Sequence, residues 1–339
     1  MGYNIETRKV QQTGGSSFII SLPKPWVEKS NIKPKDTLGI LAQPDGNLLI
    51  TPKINSEDIL KTKKFLADNY EDYNFLFRVL IGAYVMGYSR IEVKASKKFE
   101  PHIRDCVIDF TQITIGPEII EESNTFIVIK DLLNPKEMPF DKTIKRMYIL
   151  AESMHEDAMR ALKNNNRGLA EEVMKRDNDI DRLHWLISRQ SSIVLRDIIL
   201  SQKMGITLED ANHYQLMSRF LERIADHAVK IAKNVLLILE YDLEEPLIKK
   251  IAKTSEYSLK LLNNSLDARM NKDIKMANEN IASVEKLVSM CEQISLDLNG
   301  NHVESSIAIG YIIESIRRTG EYAGDISEII INKLINEDN

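Results

Sequence analysis

Two pairs of acidic residues in the second half of the chain have a spacing that suits metal binding. Glu222 and Asp226 lie four residues apart, and so do Asp177 and Asp181. Residues four apart on a helix point the same way, with about 6 Å between their Cβ atoms, so each pair can form one wall of a site with oxygen ligands. Converging carboxylates repel one another, and a hard cation removes that cost. By spacing alone, the four residues are candidate metal ligands.

An ordinary solvated helix surface is the alternative interpretation of the same carboxylates. Asp226 would then pair with Lys230, which follows it by one helical turn. Because Glu222 and Asp226 lie off the apolar face of their helix, both interpretations put them at the surface of the protein.

Two further strings raise a different class of function, a carboxylate-bridged di-iron enzyme in a helical bundle. They are Glu152-Ser153-Met154-His155 and Asp181-Arg182-Leu183-His184. Such an enzyme needs ligands that face inward, whereas the neighbouring apolar residues predict that these four ligands sit beside the core. The di-iron enzyme is thus a remote alternative. We assign no catalytic residue, and we do not expect the chain to be an enzyme.

The composition indicates a folded protein with two kinds of architecture. Of 339 residues, 43% are apolar and 28% charged, with 45 basic and 50 acidic side chains and a net charge of −5. Nine of the ten prolines precede residue 140, and proline breaks helix interiors. The front of the chain should therefore be rich in turns and the back helical.

Neither a membrane span nor a secretory route is indicated by the sequence. No apolar run approaches the roughly 20 residues that a membrane-spanning helix needs, and the first residues lack the apolar centre of a signal peptide. Two cysteines, far apart in sequence, offer neither a disulfide framework nor a cysteine-based zinc site. We expect a cytoplasmic protein.

The helical half is predicted to contain six helices, which begin near residues 137, 169, 207, 246, 273 and 302. In the third, Thr207 and Asp210 form a capping box, and apolar residues recur from Tyr214 to Ile238 in alternating steps of three and four, the pattern of a bundle seam. Related strings recur in the third and sixth helices at an offset of 95 residues. A duplicated three-helix unit is the architecture that this spacing indicates.

The string LERIADHAVKIA, which starts at Leu221, closely resembles the repeated signature of the PhoU family. The resemblance implies two three-helix repeats, restraint of high-affinity phosphate uptake, and a surface metal ion such as iron, zinc or magnesium on the acidic pairs. The second repeat departs from this pattern, because Arg317 stands in the place of Glu222 and Glu321 in that of Asp226. Its other acidic pair reads Ile281 and Glu285.

The first 53 residues resemble the AbrB/SpoVT family of swapped β-hairpins. The matching strings are RKVQQTGGSSFIISLPKPWVEKSNIKPKDTLGI and PDGNLLITP, with Lys35 where that family commonly has glycine. The resemblance implies an intertwined homodimer, and DNA binding through Arg8, Lys9 and Lys24. A net charge of +3 in this segment suits phosphate contacts, although the same lysines are also consistent with a role in solubility alone.

Residues 54–134 read as a small α/β domain. We predict a polar helix over 56–68, a buried helix over 73–86, a strand over 91–96, a helix over 99–109 and a hairpin that turns at 122–124. No phosphate-binding loop or nucleophile motif occurs in this segment, so its role is left open between a spacer and a sensor scaffold.

The predicted protein is therefore mainly α and has several domains. An AbrB-like domain (1–53) precedes the α/β domain (54–134) and a PhoU-like domain (135–339), whose repeats cover 137–242 and 246–336. We expect a homodimeric regulator of phosphate uptake that acts on DNA, on a phosphate transporter or on a sensor kinase at the membrane, an arrangement associated with archaeal regulators. An adaptor on the transporter without DNA binding is the alternative.

Overall fold

A computed structural model describes residues 5–43, 46–52, 61–241, 243–296 and 303–337. The chain divides into two compact units, Met1–Ile59 and Leu60–Asn339. The second unit holds both the α/β part and the helical part of the chain.

The first unit consists of two hairpins with a short helix between them. Its elements are β1 (Gln11–Thr13), β2 (Ser17–Ile19), α1 (Lys24–Lys29), β3 (Gly39–Ala42) and β4 (Leu48–Thr51). β1 pairs with β2, and β3 with β4, both antiparallel. This is the predicted order of elements; of the predicted turn between the last two strands, Pro44 and Asp45 lie outside the described residues.

Lys35 occupies a backbone conformation that favours glycine. Its φ is +80°, in the left-handed region, where a Cβ atom is unfavourable. The turn around it is closed on both sides: the Lys33 amide donates to the Asp36 carboxylate at 2.8 Å, and the Asp36 amide donates to the Lys33 carbonyl at 3.1 Å. The turn geometry explains why the resembling family has glycine at this position.

The α/β part is a four-stranded sheet with its two helices packed on one core. Its elements are β5 (Thr62–Leu66), α2 (Tyr73–Val85), β6 (Arg90–Lys94), α3 (Pro101–Ile113), β7 (Pro117–Glu122) and β8 (Phe126–Asp131). The strand order is β5-β6-β8-β7, with β5 parallel to β6 and the other pairs antiparallel. Leu76, Leu80 and Phe110 from the helices are fully buried against Val93 and Ile127 of the sheet.

The polar helix predicted over 56–68 is wrong for its described part. Residues 53–60 lie outside the described residues, and Thr62–Leu66 forms strand β5 at the edge of the sheet. Of its five residues only Phe65 is buried, because an edge strand needs few apolar contacts. A polar edge strand therefore lacks the alternation by which strands are recognised.

The helical part comprises α4 (Phe140–Lys163), α5 (Arg167–Lys175), α6 (Asp177–Val194), α7 (Ile198–Met204), α8 (Leu208–Ile238), α9 (Glu245–Asn271), α10 (Ile274–Leu296) and α11 (Val303–Glu337). The capping box of Thr207 and Asp210 is present at the start of α8, and the predicted seam from Tyr214 to Ile238 is buried. Within the described residues, no helix combines the length and the apolar character needed to cross a membrane.

The second of the six predicted helices is in fact three, α5, α6 and α7. Neither break contains proline or glycine. At the first, Arg176 ends α5 and immediately precedes α6. At the second, the Asp197 side chain accepts the Leu200 amide at 3.0 Å and so caps α7, as aspartate commonly does at a helix start.

Candidate functional site

The start of helix α6 is fixed by an arginine. The Arg176 guanidinium forms an ion pair with Asp157 on α4 and donates to the Ser153 hydroxyl at 3.1 Å. Asp177 and Asp181 follow directly in the first turns of α6. The acidic pair is thus held at a junction of α4, α5 and α6.

Glu222 and Asp226 lie on α8, which packs along α6. Their side chains are 16% and 31% exposed, so they are half-buried beside the seam. One oxygen of Glu222, Oε2, is buried without a hydrogen-bond partner in the described part of the chain. Burial of a charged oxygen without a hydrogen-bond partner costs free energy, and a bound cation or a hydrogen-bond donor would reduce that cost.

The fold brings all four predicted ligands into one electrostatic cluster, called the acidic cluster below. Burial, together with Asp177, Glu222 and Asp226, raises the pKa of Asp181 to about 7. Burial and Asp226 also raise the pKa of Asp177 and that of Glu222. Each effect disfavours the charged carboxylate, so the fold only partly compensates the repulsion that four ionised carboxylates would have in this cluster.

Basic residues around the cluster supply that partial compensation. Arg223 lies 3.7 Å from Glu222 and 3.6 Å from Asp226, and Lys233 lowers the pKa of Asp177. Within the described part of the chain, the ion pair of Asp226 is with Arg223, three residues earlier, and not with Lys230.

The donor chemistry of the acidic cluster fits a hard cation, since all four residues offer carboxylate oxygens. The side chains are nevertheless too far apart to form a complete site as they stand. Among the described residues, no three or more His, Cys, Asp or Glu side chains are gathered closely enough to hold a metal ion. The metal site therefore stays a prediction.

On the matching face of the second repeat, the acidic side chains pair with arginines of the same helix, α11. The Arg317 guanidinium donates to Glu314 at 2.8 Å and to Glu321 at 2.6 Å. Arg318 donates to the same two carboxylates at 2.9 and 3.1 Å. Two positive guanidinium groups thus occupy this face of the second repeat, beside Glu314 and Glu321.

Of the four residues predicted to sit beside the core, the acidic Glu152 and Asp181 are partly exposed as predicted, whereas the prediction is wrong for the two histidines. His155 and His184 are buried, not beside the core. His155 Nε2 lies 2.8 Å from the Ser255 hydroxyl, and His184 Nδ1 lies 3.0 Å from the Ser218 hydroxyl. Helix α4 is buried on a wide face because α8 and α9 both pack on it. A prediction from one apolar stripe therefore places His155 outside the core, although the second contact buries it. Each of the two rings thus contacts a serine hydroxyl of a neighbouring helix.

The three residues predicted to touch DNA lie on the surface of the first unit. Arg8 and Lys9 precede β1 and are exposed, and Arg8 pairs with Glu6. Lys24 opens α1 and lies 3.7 Å from Glu28. Exposed basic side chains with such weak pairing can exchange a carboxylate for a phosphate.

Sequence reasoning missed Arg189, which attaches the α/β part to helix α6. Its side chain is buried and reaches Asp131 of β8, while Trp185 of the same helix packs against the α/β core. One indication of this role is present in the sequence: Arg189 directly follows the mostly apolar string Leu186-Ile187-Ser188, and an arginine that is buried there requires a partner.

Comparisons with known proteins agree with both resemblances. Residues 144–235 match the PhoU domain, and residues 11–58 match a bacterial antitoxin domain described as antidote-toxin recognition MazE. The phosphate-specific transport system accessory protein PhoU homolog of Caulobacter vibrioides is 26% identical over 201 residues, 58% of this chain and 86% of that protein. The homolog of Zymomonas mobilis is 26% identical over 187 residues, 53% of this chain and 77% of that protein.

Two solved structures share the helical fold. PhoU from Pseudomonas aeruginosa has a TM-score of 0.52 at 20% identity and covers 58% of this chain and 96% of its own. The phosphate transport system regulatory protein PhoU from Streptococcus pneumoniae has a TM-score of 0.50 at 20% identity, covering 58% and 94%. The chain therefore carries a PhoU domain behind an N-terminal segment of the MazE/AbrB type.

Proposed function

We propose that this protein is a cytoplasmic regulator of phosphate uptake and not an enzyme. The observation that carries the proposal is the match of residues 144–235 to the PhoU domain, a segment that contains all four carboxylates of the acidic cluster. Relatives of this region are named as accessory proteins of phosphate-specific transport.

Phosphate uptake in the native host tests this proposal. Deletion of the gene should raise the uptake of labelled phosphate in phosphate-rich medium, and the wild-type gene should restore the restraint. Unchanged uptake, with deletion verified and growth normal, would contradict the proposal.

A homodimer formed by the first unit is the second part of the proposal. Across residues 5–43 and 46–52 no side chain is buried, and Phe18 and Leu48 are 72% and 66% exposed. Such a small unit does not build a stable core alone, whereas an intertwined partner copy would cover these side chains.

Light scattering coupled to size-exclusion chromatography tests the dimer. The wild-type chain should have twice the monomer mass, and Phe18→Asp should reduce that mass towards the monomer. Glu28→Gln, on an exposed part of α1, is the control. A dimer that survives Phe18→Asp would place the contact elsewhere.

Binding of the dimer to its own upstream DNA is the third part of the proposal. Arg8, Lys9 and Lys24 supply positive charge, and phosphate contacts of this kind weaken as salt rises. A fluorescence titration at low salt should show tighter binding to the upstream sequence than to random DNA. Arg8→Ala with Lys9→Ala should weaken it, and Lys203→Ala in the helical part should not.

Equal affinity for random and upstream DNA would favour the alternative, an adaptor on the membrane transporter in which the first unit only dimerises. Co-purification of the tagged chain with the transporter, retained in an Arg8→Ala, Lys9→Ala variant, distinguishes this role.

A metal ion on the acidic cluster is the last part of the proposal. Elemental analysis of purified protein should find iron, zinc or magnesium, and a variant with Asp181→Asn and Glu222→Gln should lose it. Glu314→Gln in the arginine-neutralised second repeat is the control. Absence of bound metal from wild-type protein after incubation with each ion would remove this part.

A further inference from the structure

A groove between helices α9 and α10 has an excess of basic side chains in its lining. Its volume is about 560 Å³. Its basic residues are Lys250, Lys253, Lys260 and Lys286, and Glu256 is the one acidic residue among those lining it in the described part of the chain. The concentration of positive charge is local, since the whole chain is acidic.

The wall of the groove is ordered around an aromatic ring. The Lys286 ammonium lies 5.1 Å from the centre of the Tyr257 ring, a favourable cation–π distance. The Tyr257 hydroxyl donates to the Ser283 carbonyl at 3.5 Å, so the ring bridges α9 and α10. Lys286 is therefore held at the groove by contacts that use no carboxylate.

Three of the groove lysines differ from their neighbours on the same helices. Within the described part of the chain, Lys253, Lys260 and Lys286 have no ion pair with an acidic residue. By contrast, Lys249 pairs with Glu245 at 2.7 Å and Lys275 with Glu279 at 3.8 Å.

We propose that this groove binds a polyvalent phosphate anion, meaning a chain of linked phosphates. Ammonium groups that line the same groove repel one another, and an anion with several charges offsets that repulsion at several points at once. Lysine binds phosphate as a point charge from many directions. A linked phosphate chain extends along the groove and reaches both helices, which a single small anion does not.

The lining favours phosphate over an acidic protein segment. Arginine, whose planar fork matches carboxylates in two-point contacts, is missing from the residues that line the groove in the described part of the chain. Tyr257, Met290 and Ile294 are the large apolar side chains of the lining, and an acidic peptide is therefore a competing ligand that the experiment has to distinguish from phosphate. The inference does not depend on the proposed regulatory function, since the anion would bind whether or not the chain controls uptake.

Isothermal titration calorimetry of the full chain with sodium tripolyphosphate tests the site. The variant Lys253→Gln, Lys286→Gln should weaken binding about tenfold or more, because two groove charges are lost. The variant Lys249→Gln, Lys275→Gln makes the same change in net charge outside the groove and should retain wild-type affinity. Glu256→Gln should tighten binding.

Comparison of ligands completes the experiment. Inorganic phosphate should bind more weakly than tripolyphosphate, and ATP should show whether a nucleotide body adds affinity to the shared phosphate chain. The proposal is overturned if both double variants weaken binding equally, if the wild-type chain does not bind either polyvalent ligand, or if a polyglutamate peptide of equal charge binds more tightly. Circular dichroism confirms that each variant is folded.

Discussion

The Arg189 guanidinium on α6 lies 2.6 Å from the Asp131 carboxylate at the end of β8. The same side chain donates to the carbonyls of Tyr84 and Tyr88 at 2.6 and 3.0 Å, and its guanidinium carbon lies 4.8 Å from the centre of the Tyr84 ring. Helix α6 also carries Asp177 and Asp181. One helix thus holds the α/β part at its later turns and half of the acidic cluster at its first turns.

Arg189→Ala is predicted to destabilise the second unit strongly. The ion pair is buried, and removal of one partner leaves the Asp131 carboxylate uncompensated, which costs about 3–5 kcal/mol. Urea unfolding followed by circular dichroism measures the loss. Arg196→Ala is the control, because Arg196 is exposed and donates to the Met86 carbonyl at 2.9 Å. Equal, small losses in both variants would show that Arg189 is not an anchor.

Lys35→Gly is predicted to stabilise the first unit. The substitution removes the unfavourable Cβ atom at φ +80°, worth about 1 kcal/mol after the greater flexibility of glycine in the unfolded state is subtracted. Asn31→Gly should gain less, since asparagine tolerates its φ of +53°. Thermal unfolding of the full chain, followed at the first transition, compares the two. A lower transition temperature for Lys35→Gly would mean that its side chain has a contact worth more than the strain.

The sequence patterns that predicted structure well are those in which one helix buries one face. Helix α8 is the example: its capping box and its seam from Tyr214 to Ile238 are visible in the order of residues alone, and both are present. The hairpins of the first unit follow equally from their turns. These features depend on neighbours in the sequence.

Other features depend on partners distant in sequence and could not be predicted. Strand β5 is polar and becomes a strand only because β6 pairs with it in parallel. His155 is buried because α9, about a hundred residues later, closes over it through Ser255. The acidic cluster was predicted residue by residue, whereas its mutual electrostatic effects depend on how α6 packs on α8. The groove lysines are an ordinary charged helix face in sequence, and only the meeting of α9 and α10 gathers them.

Gly320→Ala is predicted to destabilise the helical part. A Cβ atom at Gly320 of α11 would lie 2.1 Å from Leu287 Cδ2 and 3.2 Å from Leu261 Cδ1, and both leucines are buried. Overpacking of this kind costs about 1–3 kcal/mol. Gly310→Ala on the same helix meets nothing within 4 Å and should stabilise by about 0.5–1 kcal/mol through the helix preference of alanine. Urea unfolding of the two variants should therefore give shifts of opposite sign, and shifts of the same sign would contradict the packing of α10 on α11.

Acid should destabilise the helical part through His155. Burial, with a smaller effect from His227, lowers the pKa of His155 to about 4, below the ordinary value of 6.5. Between these values the unfolded chain binds a proton that the folded chain does not, so this stability is present above pH 6.5 and is lost as the pH falls towards 4; at pH 5 the loss is about 2 kcal/mol.

His155→Leu removes the titration. It should be less stable than wild type at pH 7.5, because the Ser255 hydroxyl loses its partner, yet lose less stability than wild type between pH 7.5 and pH 5 in urea unfolding. An unchanged pH dependence in His155→Leu would show that the ring is accessible to protons in the folded state.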